Sequence, residues 1–144
     1  MATILSIDIQ HPLYQKEREL RNEVLLRPIG IPDYGWEMND EKSWHFVAIE
    51  NSTLIGCVLL APLDNKGDRA QLLQMAVHHS MQGKGIGKIL VASLLDFARS
   101  QNIKEIEIHS RAEVTSFYQQ LGFQPFGDPF EEVGIQHQML SLNL

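Results

Sequence analysis

Met75-Ala76-Val77-His78-His79-Ser80-Met81-Gln82-Gly83-Lys84-Gly85-Ile86-Gly87-Lys88-Ile89-Leu90-Val91 is the stretch around which the rest of the chain is organised. It starts at the end of an apolar run, Leu72 to Val77, that reads as a strand, crosses a short polar segment and reaches three glycines at alternate positions. Ile86, Leu90, Leu94 and Phe97 then recur at helical spacing, with Val91, Leu95 and Ala98 widening the stripe. The pattern is strand, glycine turn, helix. Glycines at a helix opening let backbone approach a ligand closely, and the first N–H groups of the helix have no partner inside it. With the positive end of the helix dipole behind them, these groups form a site for phosphate oxygens.

Counting excludes two phosphate motifs. A Walker A loop needs Gly, four residues, then Gly-Lys-Ser/Thr, but Gly87-Lys88 is followed by Ile89 and the first glycine position holds Gln82. The dinucleotide fingerprint Gly-x-Gly-x-x-Gly fails because Gly83 and Gly85 lead to Lys88, and Gly85 and Gly87 lead to Leu90. What remains, Gln82-x-x-Gly85-x-Gly87, resembles the Gln/Arg-x-x-Gly-x-Gly/Ala motif that carries the pyrophosphate of coenzyme A in the GNAT acyltransferase superfamily. Downstream, Phe117-Tyr118-Gln119-Gln120-Leu121-Gly122-Phe123 resembles the segment that ends the last helix in the same superfamily, at the right distance and in the right order. The resemblance extends more loosely over nearly the whole chain.

Bulk properties agree with a soluble globular protein. At 144 residues, 44% hydrophobic and 21% charged, the chain suits one domain over residues 1–144 with a core of its own. A net charge of -6 argues against general nucleic-acid binding, which needs basic surface, and is compatible with a cationic substrate. The lone cysteine, Cys57, sits in the apolar run Leu54 to Leu60 and reads as a buried core residue in a reducing compartment. No apolar stretch is long enough to span a bilayer, and Met1-Ala2-Thr3-Ile4 lacks the basic region of a signal peptide, so a cytoplasmic protein without membrane partners is expected. His11, His45, His78, His79, His109 and His137 lack metal-ligand spacing, so no metal is expected.

Taken in order, Thr3 to Ile9 alternates as a first strand, and from Leu13 an amphipathic helix runs until Pro28. The segment between Arg27 and Ser43, rich in acids and turn formers, reads as a packed loop. Trp44–Glu50 and Thr53–Ala61 form a hairpin about Asn51-Ser52, and Pro62–Asp68 turns the chain into the strand that ends at Val77. After the helix that starts near Ile86, Ile103 to His109 is a strand expected parallel to the one before the helix. Ser110-Arg111-Ala112-Glu113 has capping-box spacing ahead of a helix that finishes at Gly122. Phe123–Phe126 and Ile135–Leu142 are the last strands, separated by a loop. The order β-α-β-β-β-α-β-α-β-β matches the GNAT fold, an α/β (α+β) architecture whose mixed, mainly antiparallel central sheet has helices on both faces.

The resemblance implies a chemistry. Met75, Ala76 and Val77 lend backbone groups to the pantetheine arm of acetyl-CoA, the co-substrate, while Gln82, Gly83, Lys84, Gly85, Ile86 and Gly87 wrap its pyrophosphate, with Lys88 and Phe117 alongside. The loop after the first helix lines the acceptor pocket. Tyr118 occupies the position that protonates the departing thiolate in many family members, and a phenol keeps its proton at neutral pH. The expected reaction is direct transfer of an acetyl group to a primary amine, on a small molecule or a peptide; the alternative is a coenzyme A-binding regulatory module without turnover, and a homodimer is compatible with either.

The general base is open at this stage. Where some relatives carry a glutamate on the strand before the glycine turn, this chain has Gln71. Glu113 is accounted for as a capping partner, and His78, His79 and His109 stand at strand ends. The tail Phe130 to Leu140 resembles the Phe-x-Glu-x-Gly-Ile-x-His-x-x-Met ending of small bacterial GNAT proteins of unassigned substrate, with Leu140 in place of Met, and this makes His137 a candidate base or substrate ligand. Many relatives carry Asn, which bonds the pantetheine, at the position of Arg111.

Overall fold

A computed structural model describes residues 1–144. A seven-stranded sheet in the order β1-β2-β3-β4-β5-β7-β6 runs through the molecule: β1 Thr3–Ile7, β2 Trp44–Glu50, β3 Thr53–Pro62, β4 Arg69–Val77, β5 Glu105–Arg111, β6 Gln124–Glu132 and β7 Ile135–Asn143. Neighbours are antiparallel except β4 and β5, which are joined through helix α2, Ile86–Ser100, and pair in parallel. The side-chain alternation of the strands feeds two layers. Phe46, Ala48, Val58, Leu60 and Leu72 point to α2, where Leu90, Val91 and Leu94 are fully buried, and Tyr118 of α3, Thr115–Gln120, joins the same cluster. On the opposite face Ile7, Val47, Cys57 and Ala76 meet Leu20 of α1, Tyr14–Arg21. Helices therefore cover both faces, as the element order predicts.

Local departures from the expected boundaries have identifiable causes. The first strand stops at Ile7 rather than Ile9, because the Asp8 carboxylate accepts from the amide of Gln10 and turns the chain. The first helix is α-helical only to Arg21; it widens into a π turn over Asn22–Leu26 and then tightens into a 3-10 turn, Arg27–Ile29, whose opening takes Pro28 without losing a hydrogen bond. Ile103 closes α2 by donating to the carbonyl of Ala98, so β5 begins at Glu105 and not at Ile103. The capping box at Ser110 is absent: β5 continues through Arg111, Ser110 is buried in the sheet with its hydroxyl on the Arg111 carbonyl, and α3 follows a 3-10 turn, Ala112–Val114. Gly127, Asp128 and Pro129 lie within β6 as a bulge, held by the Gln138 amide donating to the carbonyls of Phe126 and Gly127.

Two features shape the centre of the sheet. Between Cys57 and Leu59 the register slips and Gln74 adopts φ 56°, so β4 bulges opposite Val58. Pairing of β4 with β5 runs from Arg69–Glu105 to Leu72–Ile108 and stops, although β5 continues to Arg111 beside β7. Beyond Leu72 the two strands diverge and leave an open wedge.

Under the α1 face lies a buried ionic cluster. Glu17, Arg21, Asp40 and His45 are all at most 4% exposed, with Arg21 bonded to Glu17 and to both Asp40 oxygens and Tyr14 donating to Asp40 at 2.5 Å. His45 Nδ1 lies 2.9 Å from Glu17 and Nε2 lies 2.7 Å from the Asp40 carbonyl, so both ring nitrogens face acceptors and only the imidazolium satisfies both. Burial opposes that charge, but the bond to Glu17 and its field outweigh burial, and the His45 pKa rises. A raised folded-state pKa stabilises the protein fully below the unfolded value, about 6.5, and that contribution is lost as pH climbs through the folded value. The expected result is a difference in unfolding free energy between wild type and His45→Asn that shrinks from pH 6 toward alkaline pH. A constant difference in urea titrations would exclude a charged His45.

Candidate active site

The wedge between β4 and β5 opens into a cavity of about 680 Å³. One end is the opening of α2. Gly85 precedes the helix at φ +83°, no side chain caps the first turn, and none of the amides from Gln82 to Lys88 donates to a backbone acceptor. The Gln82 side chain ties back to the Val77 carbonyl at 3.0 Å, which fixes the turn against the strand end. Met75, Ala76, Val77, Gln82, Gly83, Gly85, Ile86, Gly87, Lys88 and Phe117 all line the cavity, whereas Lys84 does not. Phe117 and Met75 approach Gly87 so closely that an added Cβ would lie 3.4–3.5 Å from them. This end presents free N–H donors and one lysine, the chemistry of an anion site.

Toward the middle, Tyr118 is 5% exposed and lines the cavity, and its hydroxyl has no oxygen or nitrogen partner, only the sulfur of Met75 at 3.9 Å. Burial pushes its pKa above the ordinary phenol value, so the proton stays on the oxygen. The edge of β4 beyond Leu72 carries backbone groups not taken by β5, an arrangement that can bind an extended chain.

The far end lies on the α1 face. Val24 and Leu25 of the π turn, Trp36 of the following loop, Gln71, Leu73 and Gln74 of β4, and His109 and Arg111 of β5 line it. Arg21 reaches out of the buried cluster to the Trp36 carbonyl at 2.9 Å, and Arg18 pairs with Glu37, so the loop wall is pinned by ion pairs of α1. Gln74 Oε1 is buried there without a partner. His109 Nδ1 lies 3.1 Å from the Glu132 carboxylate of β6, reached across β7.

Other histidines fall elsewhere. His137 does not line the cavity: it is 4% exposed, with Nδ1 on the Ile135 carbonyl at 2.8 Å and its ring stacked on Phe130. It lies opposite Arg111 in the β5–β7 register and so on the same face of the sheet, one strand further from the wedge, with Nε2 3.7 Å from the Glu132 carboxylate that also meets His109. His78 bonds Ser80 and caps the 3-10 turn His79–Met81, and neither His78 nor His79 reaches the cavity. Glu113, relieved of a capping role, lines the cavity rim. Cys57 is fully buried and donates to the Gln74 carbonyl, with burial pushing its thiol pKa up, which suits a core residue and not a nucleophile. The His109–Glu132 pair and the ionic cluster were not predicted from the sequence. For the cluster a signal existed: Glu17, Leu20, Arg21 and Val24 share one helical face.

Comparison with known proteins places this geometry. The chain is 25% identical over 132 residues to a UPF0039 protein of Synechocystis sp., covering 90% of this chain and 86% of that one. It is 32% identical over 97 residues to human N-acetyltransferase 8B, covering 63% of this chain but only 43% of that protein. Its fold is shared with an acyl-CoA N-acyltransferase from Pseudomonas aeruginosa at a TM-score of 0.85 and 17% identity, over 98% and 99% of the two chains. It is likewise shared with a GNAT family acetyltransferase from Elizabethkingia anophelis, solved with acetyl-CoA bound, at a TM-score of 0.78 and 21% identity, over 99% and 98%. The model of the acetyltransferase (GNAT) family matches residues 8–123, from the first turn through α1, the splayed strands and the glycine turn to the end of α3. The chain therefore belongs to the GNAT acetyltransferase family.

Proposed function

We propose that residues 1–144 form one catalytic domain that moves an acetyl group from acetyl-CoA to a primary amine by direct transfer. The observation that carries this reading is the single cavity joining free amides at the opening of α2, the unpaired edge of β4 and the unpartnered hydroxyl of Tyr118. The diphosphate sits on the amides from Gln82 to Lys88, and the pantetheine arm lies along Met75 to Val77. The same reading puts the enzyme in the cytoplasm, and its one cysteine, unpaired and buried, suits a reducing compartment.

At pH 7 an alkylamine with a pKa near 10.4 is neutral in roughly one molecule in a few thousand. His109, held by Glu132 at the acceptor end, takes the proton directly or through one water; the carboxylate behind the imidazole fixes its orientation. The amine nitrogen then attacks the thioester carbon, the C–N bond forms and the C–S bond breaks. Tyr118 donates a hydrogen bond to the departing sulfur. On becoming an amide the nitrogen sheds its second proton, which reaches the sulfur through the Tyr118 hydroxyl, so the sulfur leaves as the thiol and the tyrosine, whose raised pKa disfavours the phenolate, ends with its proton in place.

The test is release of free thiol from acetyl-CoA across an amine panel. Tyr118→Phe and His109→Gln are each expected to lower kcat by about 10²-fold, the scale of one general acid–base contribution, with acetyl-CoA affinity held within a few fold. Because the Tyr118 pKa is raised, the wild-type rate should show no falling limb near pH 10, where a free phenol would ionise. Acetyl-CoA binding without thiol release by any amine would favour the regulatory module instead.

A further inference from the structure

Arg18 pairs with Glu37, Arg21 with Glu17 and Asp40, Arg27 with Asp33, Arg69 with Glu105 and Glu107, and Arg99 with Asp96. Arg111 is the exception among the arginines. Half-buried on the cavity wall, it makes one long hydrogen bond, from Nη2 to the Leu25 carbonyl at 3.4 Å, and no carboxylate lies within ion-pair distance, although Glu113 lines the same cavity. A guanidinium offers five N–H donors in a planar fork, so most of them are left to the cavity. Val24, Leu25, Trp36 and Val114 give the same cavity apolar wall, against which an unpaired cation gains most from a bound anion.

The diphosphate site is at the other end, where the α2 amides and Lys88 already answer its charge. Arg111 instead shares its strand face with His109, two residues away, so their side chains leave the sheet about 7 Å apart. That spacing sets an anion-binding fork beside the group that takes a proton from the acceptor amine. The Leu25 carbonyl, near the end of the π turn, holds the guanidinium in place from behind.

We propose that the acceptor is an amine bearing a carboxylate a few bonds away, an amino acid or a compound built like one, and that Arg111 binds that carboxylate as His109 receives the amine. This rests on the acetyltransfer reading above and narrows its substrate class.

The test uses matched pairs of acceptors, an amino acid and its decarboxylated amine: phenylalanine and phenethylamine, tyrosine and tyramine, histidine and histamine. Wild-type kcat/KM should favour the carboxylated member of at least one pair. Arg111→Gln should raise KM for that member by roughly 10- to 150-fold, the range for a hydrogen bond to a charged group, with kcat changed less. It should leave the decarboxylated partner and acetyl-CoA affinity within a few fold, and Arg111→Lys should restore part of the loss. A wild-type preference for decarboxylated amines, or an equal loss on both members in Arg111→Gln, overturns the proposal, because a merely structural clasp would affect both alike. If no amine releases thiol, the acetyltransfer reading fails, and calorimetric titration of the CoA-loaded protein with phenylalanine, tyrosine and histidine decides the carboxylate site alone. Binding lost in Arg111→Gln upholds it; no binding, or binding unaffected by the substitution, overturns it.

Discussion

Gly85→Val is expected to weaken acetyl-CoA binding by at least about 10²-fold while the protein stays folded, since several charge-assisted hydrogen bonds of about 1.5–3 kcal/mol each are at stake. Gly85 sits at φ +83° immediately before α2, and a Cβ built there meets nothing within 4 Å. The substitution therefore causes no clash in the core. It costs about 1–2 kcal/mol of left-handed strain, relieved by rotating the turn, and that rotation swings the unpartnered amides out of their common focus. The new side chain also stands in the space those amides face. Gly67→Val is the matched control, for it has φ +77°, open space and a place in the β3–β4 turn away from the cavity. Both variants should lose similar stability in urea, and only Gly85→Val should lose affinity by calorimetry. Affinity retained in Gly85→Val would remove the α2 opening from the binding of the nucleotide.

The same glycine turn shows why much of this protein was legible in its sequence. Helical and alternating periods are local, so Ile86 to Ser100 and the Asn51-Ser52 hairpin could be read almost to the residue, and the turn between strand and helix led to Met75 through Lys88. The parallel pairing of β4 and β5 followed from the helix between them. What stayed hidden depends on contacts far apart in the chain. Which histidine faces the wedge is decided by where β4 and β5 part company, which leaves His109 on the cavity wall and His137 one strand further out on β7, although both lie near the Glu132 carboxylate of β6. Ser110 has the spacing of a cap, but the β7 ladder keeps it in the sheet through Arg111. The bulge at Gln74 arises from a register slip against β3, which no period along β4 records. Charge usually marks the solvent side of a helix, whereas Glu17 and Arg21 share the inner side of α1 with Leu20 and Val24.

That inner position makes Arg21→Ala the most damaging single change expected for stability. Arg21 is 2% exposed and stands between Glu17 and Asp40, which are themselves buried, so removing it leaves two carboxylates with only His45 and Tyr14 to answer them. Breaking a buried pair from one side costs about 3–5 kcal/mol, because the remaining charge is neither hydrated nor paired. A domain of this kind has about 5–15 kcal/mol in total, so the variant should unfold at much lower urea and, near neutral pH, draw protons onto Glu17 or Asp40. The loss should also reach the cavity, since the same guanidinium holds the Trp36 carbonyl and with it the acceptor-side loop. Acceptor KM should therefore rise in Arg21→Ala at a temperature where the protein is still folded, while acetyl-CoA affinity, set on the α2 face, stays near wild type. Arg27→Ala, which breaks an exposed pair with Asp33 on the same loop, should change neither stability nor KM measurably. Equal behaviour of the two variants would mean that the buried cluster neither stabilises the fold nor shapes the acceptor end.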